Sequence, residues 1–241
     1  MIRIGIIGDF DREFLPHKAT MDSLLHSSKL LNTEIKIEWI ATDSLINYHA
    51  NFELFSGIWI GPGKLYKSIK GAIAGIKIAR EKKIPILGTC RGFQHLMIEF
   101  ARNKMNLIGK EIEENDPFLS KIISNRTDCS LDDKWIDIKL KDNSIAKSLY
   151  EQSIIKEQDV CSFEINKDLK TDIEKNGLRI TGIDTDLKPR IVELIENNFC
   201  IGTLYVPQLN STFDNPHPIV TGFLKASMNR WRIKNEAQQG M

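Results

Sequence analysis

The 241-residue chain is poor in most of the features that would point to a specialised class of protein. It has four cysteines, Cys90, Cys129, Cys161 and Cys200, with no Cys-x-x-Cys pair and no Cys/His spacing of a metal site, which argues against a disulfide framework or a zinc centre. The formal net charge is +1, and Lys and Arg are spread along the chain, so electrostatics gives no reason to expect a nucleic acid or an anionic membrane as partner. No apolar run approaches membrane-spanning length. Met1–Gly8 is too short for a secretory signal and reads as a strand. No Gly-x-x-x-x-Gly-Lys-[Ser/Thr] phosphate loop, internal repeat or low-complexity segment occurs. Hydrophobic content of 41% with 27% charged residues is that of a globular protein, and these absences together lead us to expect a single domain over 1–241 in a reducing, cytoplasmic setting, without metal or cofactor.

What is present centres on Ile84-Pro85-Ile86-Leu87-Gly88-Thr89-Cys90-Arg91-Gly92-Phe93-Gln94. An apolar run ends in Gly-x-Cys-x-Gly and a helical pattern starts at once. That is the form of a nucleophile elbow, in which small residues two before and two after the nucleophile relieve a strained strand-to-helix turn. Such a turn lifts the Cys90 sulfur above the sheet edge and aims the first helical amides at whatever it attacks. The plainer alternative is a buried thiol following a parallel strand.

Periodicity predicts strands over Ile2–Ile7, Glu34–Ala41, Phe55–Ile60 and Ile84–Thr89, and helices over Lys18–Leu31, Ser68–Lys82 and Phe93–Asn103. Asn106–Asp133 is polar and irregular. Further strands are expected at Lys134–Leu140, Val160–Ile165, Leu178–Asp184, Arg190–Ile195 and Cys200–Val206, then a helix over Ile219–Arg230 and a frayed polar tail over about 232–241. The order predicts an α/β fold with a mostly parallel central sheet, flavodoxin-like, helices on both faces, and an antiparallel C-terminal portion. Gly61-Pro62-Gly63 and Cys90 then both lie at C-terminal strand ends and can face one crevice.

The segment from Ala79 to Gln94, continued by Ile98-Glu99-Phe100-Ala101-Arg102-Asn103, closely resembles the glutaminase domain of the CTP synthase family, a class I (Cys-His-Glu) glutamine amidotransferase domain. The likeness extends to Gly61-Pro62-Gly63, Lys70–Ala74, Gly202–Gln208 and Pro216–Val220, nearly the whole chain. It implies that the Cys90 thiolate attacks the side-chain amide of glutamine, forms a thioester and releases ammonia. It further implies an oxyanion hole from the backbone N–H groups of Arg91 and Gly63 (Pro62 has none), and substrate contacts from Gln94 and Glu114. A synthase-type protein partner or a second copy of the chain is implied too.

The pattern is incomplete. Where the family carries His-Pro-Glu, this chain reads Val206-Pro207-Gln208, so the imidazole base and its orienting carboxylate are both replaced. Ser162, in Cys161-Ser162-Phe163-Glu164, stands where the family has an Arg for the substrate's α-carboxylate. Since the chain starts at the glutaminase strand, CTP synthesis by this chain alone is not expected. Of the five histidines, His95 lies beside Gln94 on the elbow helix, and its plainer role is a helix residue at the core edge. His17 shares a strand-end loop with Asp9, Asp11 and Glu13, the place where Cys-dependent glyoxalase-like hydrolases carry a carboxylate; His217, between two prolines, reads as structural, and His26 and His49 have no assigned part. Arg91 either favours the thiolate or reaches solvent or a carboxylate. Three readings follow: a glutaminase with weak or partner-dependent activity, an inactive binding or regulatory module, and a Cys-dependent hydrolase with a relocated base.

Overall fold

The computed structural model describes residues 1–46, 52–63, 65–105, 123–125, 135–161 and 163–239. The parallel half is built from β1 (Ile2–Ile7), β2 (Ile35–Ile40), β3 (Gly57–Ile60), β4 (Ile86–Thr89) and β11 (Cys200–Thr203), and the antiparallel half from β6 (Trp135–Leu140), β7 (Ile154–Gln158), β9 (Leu178–Asp184) and β10 (Pro189–Leu194). They form one nine-stranded sheet in the order β2-β1-β3-β4-β11-β10-β9-β6-β7. Every pairing from β2 to β11 is parallel and every pairing from β11 to β7 antiparallel. The expected mixture of a parallel centre and an antiparallel C-terminal portion is therefore the observed one.

Strand alternation sorts the core into two layers. Ile58, Ile60 and Ile86 face one side, where α2 (Ile69–Glu81) and α3 (Arg91–Asn103) supply Ala72, Ile76, Phe93 and Met97. Ile6, Trp59 and Leu87 face the other, against Leu24 of α1 (Leu15–Leu30), Ala146 of α4 (Ile145–Tyr150) and Phe223 of α6 (Pro218–Gln239). Because β1 to β4 and β11 run in one direction, their C-terminal ends bring Gly8, Gly61, Cys90 and Leu204 to a single edge. No helix among the described residues is long and apolar enough to cross a membrane.

Four local expectations are corrected. Helix α1 begins at Leu15, with Pro16 in its first turn rather than in a loop; that turn has no intrahelical acceptor for an N–H, so proline is tolerated there. Helix α6 continues past Arg230 to Gln239 in place of a frayed tail, held by a bond from Lys234 Nζ to the Glu53 carbonyl (2.7 Å) and one from Arg230 to that of Lys82 (3.2 Å). The strand expected at Val160–Ile165 shortens to β8 (Phe163–Ile165), paired with β5 (Ile123–Asn125) in a separate ribbon, and an unexpected strand, β7, precedes it as the edge of the main sheet. A tight turn breaks the run, closed by Val160 N–H to the Gln158 carbonyl at 3.2 Å. Last, β11 ends at Thr203, and Pro207–Asn210 winds into a 3-10 turn.

Helices α4 and α5 (Lys170–Lys175) are too short to leave a periodic signature. The first turn of α4 is fixed instead from a distance: the Glu193 carboxylate on β10 accepts from Ile145 N–H (2.9 Å) and Ala146 N–H (2.8 Å).

Candidate active site

Cys90 is the N-cap of α3 and has φ 53°, ψ −113°. A non-glycine residue in that region carries strain of order 1–3 kcal/mol, which the surrounding contacts must offset. They do so on both sides: Cys90 N–H donates to the Thr203 carbonyl at 3.0 Å, tying the elbow to β11, and Gln94 N–H donates back to the Cys90 carbonyl at 3.3 Å. The flanking glycines are steric necessities. A Cβ on Gly92 would lie 2.0 Å from the Ile60 carbonyl oxygen, and one on Gly88 3.0 Å from that of Gly92. The elbow read from Gly-x-Cys-x-Gly is thus the observed geometry.

The loop after β3 is held from three directions. Tyr66 Oη donates to the Gly61 carbonyl (2.6 Å), His17 Nε2–H to that of Pro62 (3.0 Å), and Arg91 Nε to that of Gly63 (2.6 Å). His17 Nδ1 accepts from Asp11 N–H (3.0 Å), which fixes the tautomer that can donate to Pro62. Gly63 has φ +122°, and a Cβ there would meet Phe14 at 2.6 Å. The Arg91 and Gly63 backbone N–H groups are both among the influences that favour the Cys90 thiolate.

The surroundings of Cys90 bias the charge state of its thiol. The Cys90 thiol is held below its ordinary pKa chiefly by a hydrogen bond from the Cys161 thiol; burial opposes this, and the Arg91 N–H, the Arg91 charge and the Gly63 N–H reinforce it. Cys161 is pushed the other way, well up, first by that same contact and then by burial. Of the two roles weighed for Arg91, its charge does favour the thiolate, while its guanidinium, in place of a carboxylate, takes the Gly63 carbonyl and lies 5.8 Å from the Phe163 ring centre.

The histidines considered as a relocated base are engaged elsewhere. His95 is buried, donates from Nδ1 to the Arg91 carbonyl (2.9 Å) and stacks on Tyr66 with ring centres 4.3 Å apart; burial brings its pKa down to about 4. His17 positions the Pro62-Gly63 loop with both ring nitrogens. Asp9, in the same loop, accepts from Thr42 N–H (3.1 Å), Thr42 Oγ1 (2.6 Å) and Lys67 N–H (2.8 Å), which makes it a loop staple. His217 pairs with Glu157 at 2.9 Å beside Tyr150, and His26 with Ser211 at 3.1 Å.

Val206 is buried in the apolar cluster against which Cys90 packs. Gln208 is also buried; its Nε2 donates to Thr20 Oγ1 (3.1 Å) and Thr89 Oγ1 (3.3 Å), while its Oε1 has no hydrogen-bond partner among the described residues. Gln94 is buried on α3, one turn past the nucleophile. Glu114, Ser162, His49 and Cys129 lie outside the described residues. Sequence reading passed over Cys161, although it stands next to Ser162 in the segment compared with the family. It also missed Tyr66 and the positioning role of His17. A groove of about 800 Å³ lined in part by Lys83, Pro85 and Arg230 sits at the opposite end of the parallel strands, away from Cys90.

The family model for glutamine amidotransferase class-I matches residues 17–226. The chain belongs to the class-I glutamine amidotransferase family. Among its curated relatives, the CTP synthase of Pelagibacter ubique is 32% identical over 249 residues, covering 95% of this chain and 46% of the relative. The CTP synthase of Cytophaga hutchinsonii is 30% identical over 243 residues, covering 94% and 44%. The chain therefore spans less than half the length of the curated relatives it matches. Its fold is that of the glutaminase domain of Trypanosoma brucei CTPS, solved with bound acivicin, with a TM-score of 0.79 at 20% identity over 95% of this chain and 94% of that one.

Proposed function

We propose that this amidotransferase domain retains the nucleophilic half of a CTP-synthase-like glutaminase, cleaving the glutamine side-chain amide slowly or with help from a synthase-type partner. The observation that carries the reading is the Cys90 elbow itself, a positive-φ N-cap between two sterically required glycines, with the Arg91 and Gly63 amides among the groups that hold the thiol pKa down. In the reaction the thiolate adds to the amide carbon, and the oxygen gains negative charge where those donors converge. Collapse to the thioester expels the amine, which leaves readily only when protonated. Water then attacks the thioester through a second oxyanion.

Lowering the thiol pKa supplies the thiolate without a base, but it supplies no acid for departing ammonia. Val206 stands where the family has its imidazole, and a valine transfers no proton. Loss of a triad member costs several orders of magnitude in rate, so turnover is slow unless a partner contributes an acid. Gln94 and Glu114 contact the glutamine backbone or side chain in this proposal, and the setting is cytoplasmic, where the thiols stay reduced.

A second reading has a specific observation in its favour. Gln208 is locked onto Thr20 and Thr89 and Val206 is packed in the core, as in a domain kept for binding. A glutamine-analogue electrophile, with Cys90 labelling read by mass spectrometry, separates the two. Rapid labelling suppressed by glutamine supports the glutaminase; absence of labelling on folded, reduced protein supports the binding module. Labelling indifferent to glutamine points to a different Cys-dependent substrate.

A further inference from the structure

We propose that the groove at the N-terminal ends of β4 and β11, at the opposite end of the strands from Cys90, binds a phosphorylated small organic molecule. This is independent of the amide chemistry at the elbow. β4 and β11 pair in parallel with Ile86 opposite Cys200, and Ile86 N–H donates to the Phe199 carbonyl at 2.8 Å. The turns that precede the two strands therefore lie side by side and bring Pro85 and Asn198 to one wall. The other wall is the last part of α6. Ala226, Arg230, Ile233 and Ala237 recur at intervals of three or four, which puts them on one helical face. The space between is about 800 Å³, the size of an organic ligand rather than of a simple ion.

Charge decides the kind of ligand. The whole chain carries only +1, yet Lys83, Arg230, Arg232 and Lys234 share this groove with a single carboxylate among the described lining residues, Glu53. That carboxylate is already taken, since Lys82 Nζ lies 2.6 Å from Glu53 Oε1. Lys234 is held by the Glu53 backbone carbonyl (2.7 Å), which leaves its charge uncompensated.

Arg230 is the anchor. It is half-buried, and its guanidinium is fixed by Nη1 donating to the Lys82 carbonyl at 3.2 Å. Its Nε is buried with no hydrogen-bond partner, and no carboxylate stands within ion-pairing distance of it among the described residues. A guanidinium stripped of part of its water and given no counter-ion is unfavourable; burial pulls its pKa down, against the more distant charge of Glu53. An anion in the groove removes that penalty. Four cations around one space favour a doubly charged phosphate group over a monocarboxylate, and the planar guanidinium fork suits phosphate oxygens. The apolar part of the lining receives the organic body: Pro85, Ala226, Ala237 and Ile233, an isoleucine left 65% exposed on this face.

The test titrates phenyl phosphate into the full chain by isothermal calorimetry at fixed ionic strength, with phenol and inorganic phosphate as separate half-probes. The expected result is saturable one-site binding of phenyl phosphate, with each half-probe weaker by about tenfold or more. Arg230→Gln and Arg232→Gln should each raise the dissociation constant about tenfold. Lys156→Gln removes the same charge from the exposed face of β7 and should leave the isotherm unchanged. Arg232 is exposed, so its variant decides the matter even if Arg230→Gln folds poorly. No saturation up to about 10 mM, binding indifferent to both arginine variants, or an equal loss in Lys156→Gln would overturn the proposal. Competition by glutamine would place the ligand at the elbow and overturn it too. Cys90 labelling is read separately, so failure here leaves the glutaminase reading standing, and failure of labelling leaves this site standing.

Discussion

Arg91 Nε donates to the Gly63 carbonyl at 2.6 Å, so the residue after Cys90 clamps the loop that follows β3. One side chain thereby couples β4 to β3 across the site. The peptide that carries the Gly63 N–H is held separately, by His17 Nε2 donating to the Pro62 carbonyl, and the Arg91 charge favours the Cys90 thiolate.

Arg91→Ala should therefore raise the Cys90 pKa. The folded thiol is now held below its ordinary value, so removing the clamp moves the pH profile of alkylation upward and slows labelling near neutral pH. At any pH well below the pKa, the thiolate fraction falls about tenfold for a pKa higher by one. Iodoacetamide rates between about pH 5 and 10, with far-ultraviolet circular dichroism as a folding control, read this directly. An unchanged profile would show that the guanidinium contributes nothing to thiolate formation.

Gly92→Ala should destabilise the fold by about 3 kcal/mol or more, because the new methyl meets a backbone oxygen that no rotamer change can move. The close approach is 2.0 Å to Ile60 O. Urea midpoints at constant m-value give the figure. By contrast, Gly177→Ala meets nothing within 4 Å, and its cost comes from φ +95° alone.

Gln208→Glu alone should cost stability in a pH-dependent way. The site is buried, and the Thr20 hydroxyl already donates to the Pro16 carbonyl at 2.7 Å, leaving few donors for a carboxylate. Burial raises the folded pKa above the unfolded value of about 4.3, so the native state binds the extra proton. The cost is absent below that value, grows as pH rises through the folded pKa, and then levels off. Adding Val206→His should restore part of the loss by giving the carboxylate an imidazolium. Glutaminase activity appearing only in the double variant, measured as ammonia release from glutamine, would mark the rest of the pocket as intact.

His95 predicts the opposite slope. Its folded pKa of about 4 lies below the ordinary 6.5, so the unfolded chain binds more protons as pH falls. Its neutral form is fully favourable above 6.5, and stability is lost as pH drops from 6.5 toward 4, by about 3 kcal/mol at most. His95→Phe keeps a ring against Tyr66 and loses the bond to the Arg91 carbonyl, so it should be less stable near neutral pH yet flatter between about pH 7 and 4.5. Equal slopes in urea denaturation would sink this assignment.

Legibility differed from residue to residue. Gly88-Thr89-Cys90-Arg91-Gly92 could be read because the elbow's constraints are local: a positive φ at one residue and missing Cβ atoms two positions away. The inner parallel strands β3 and β4 could be read because burial on both faces makes them continuous apolar runs, and the edge strand β2 because its residues alternate. Helix α4 could not, since its first turn is fixed by Glu193, 47 and 48 residues from the two amides that donate to it. His17 looked like a candidate base because its residue type and loop allowed it; only the partners of its two nitrogens assign it to Pro62.

By itself, then, the sequence determined that Cys90 sits on a strained elbow, because that follows from residue type and short spacing; the places given to Val206 and Gln208 are what the family resemblance implies. Tertiary structure decided what surrounds the sulfur. The Gly63 loop and the Arg91 clamp arrive from separate strand ends, and the bond between them depends on distance in space, which the interval between 63 and 91 along the chain does not reveal.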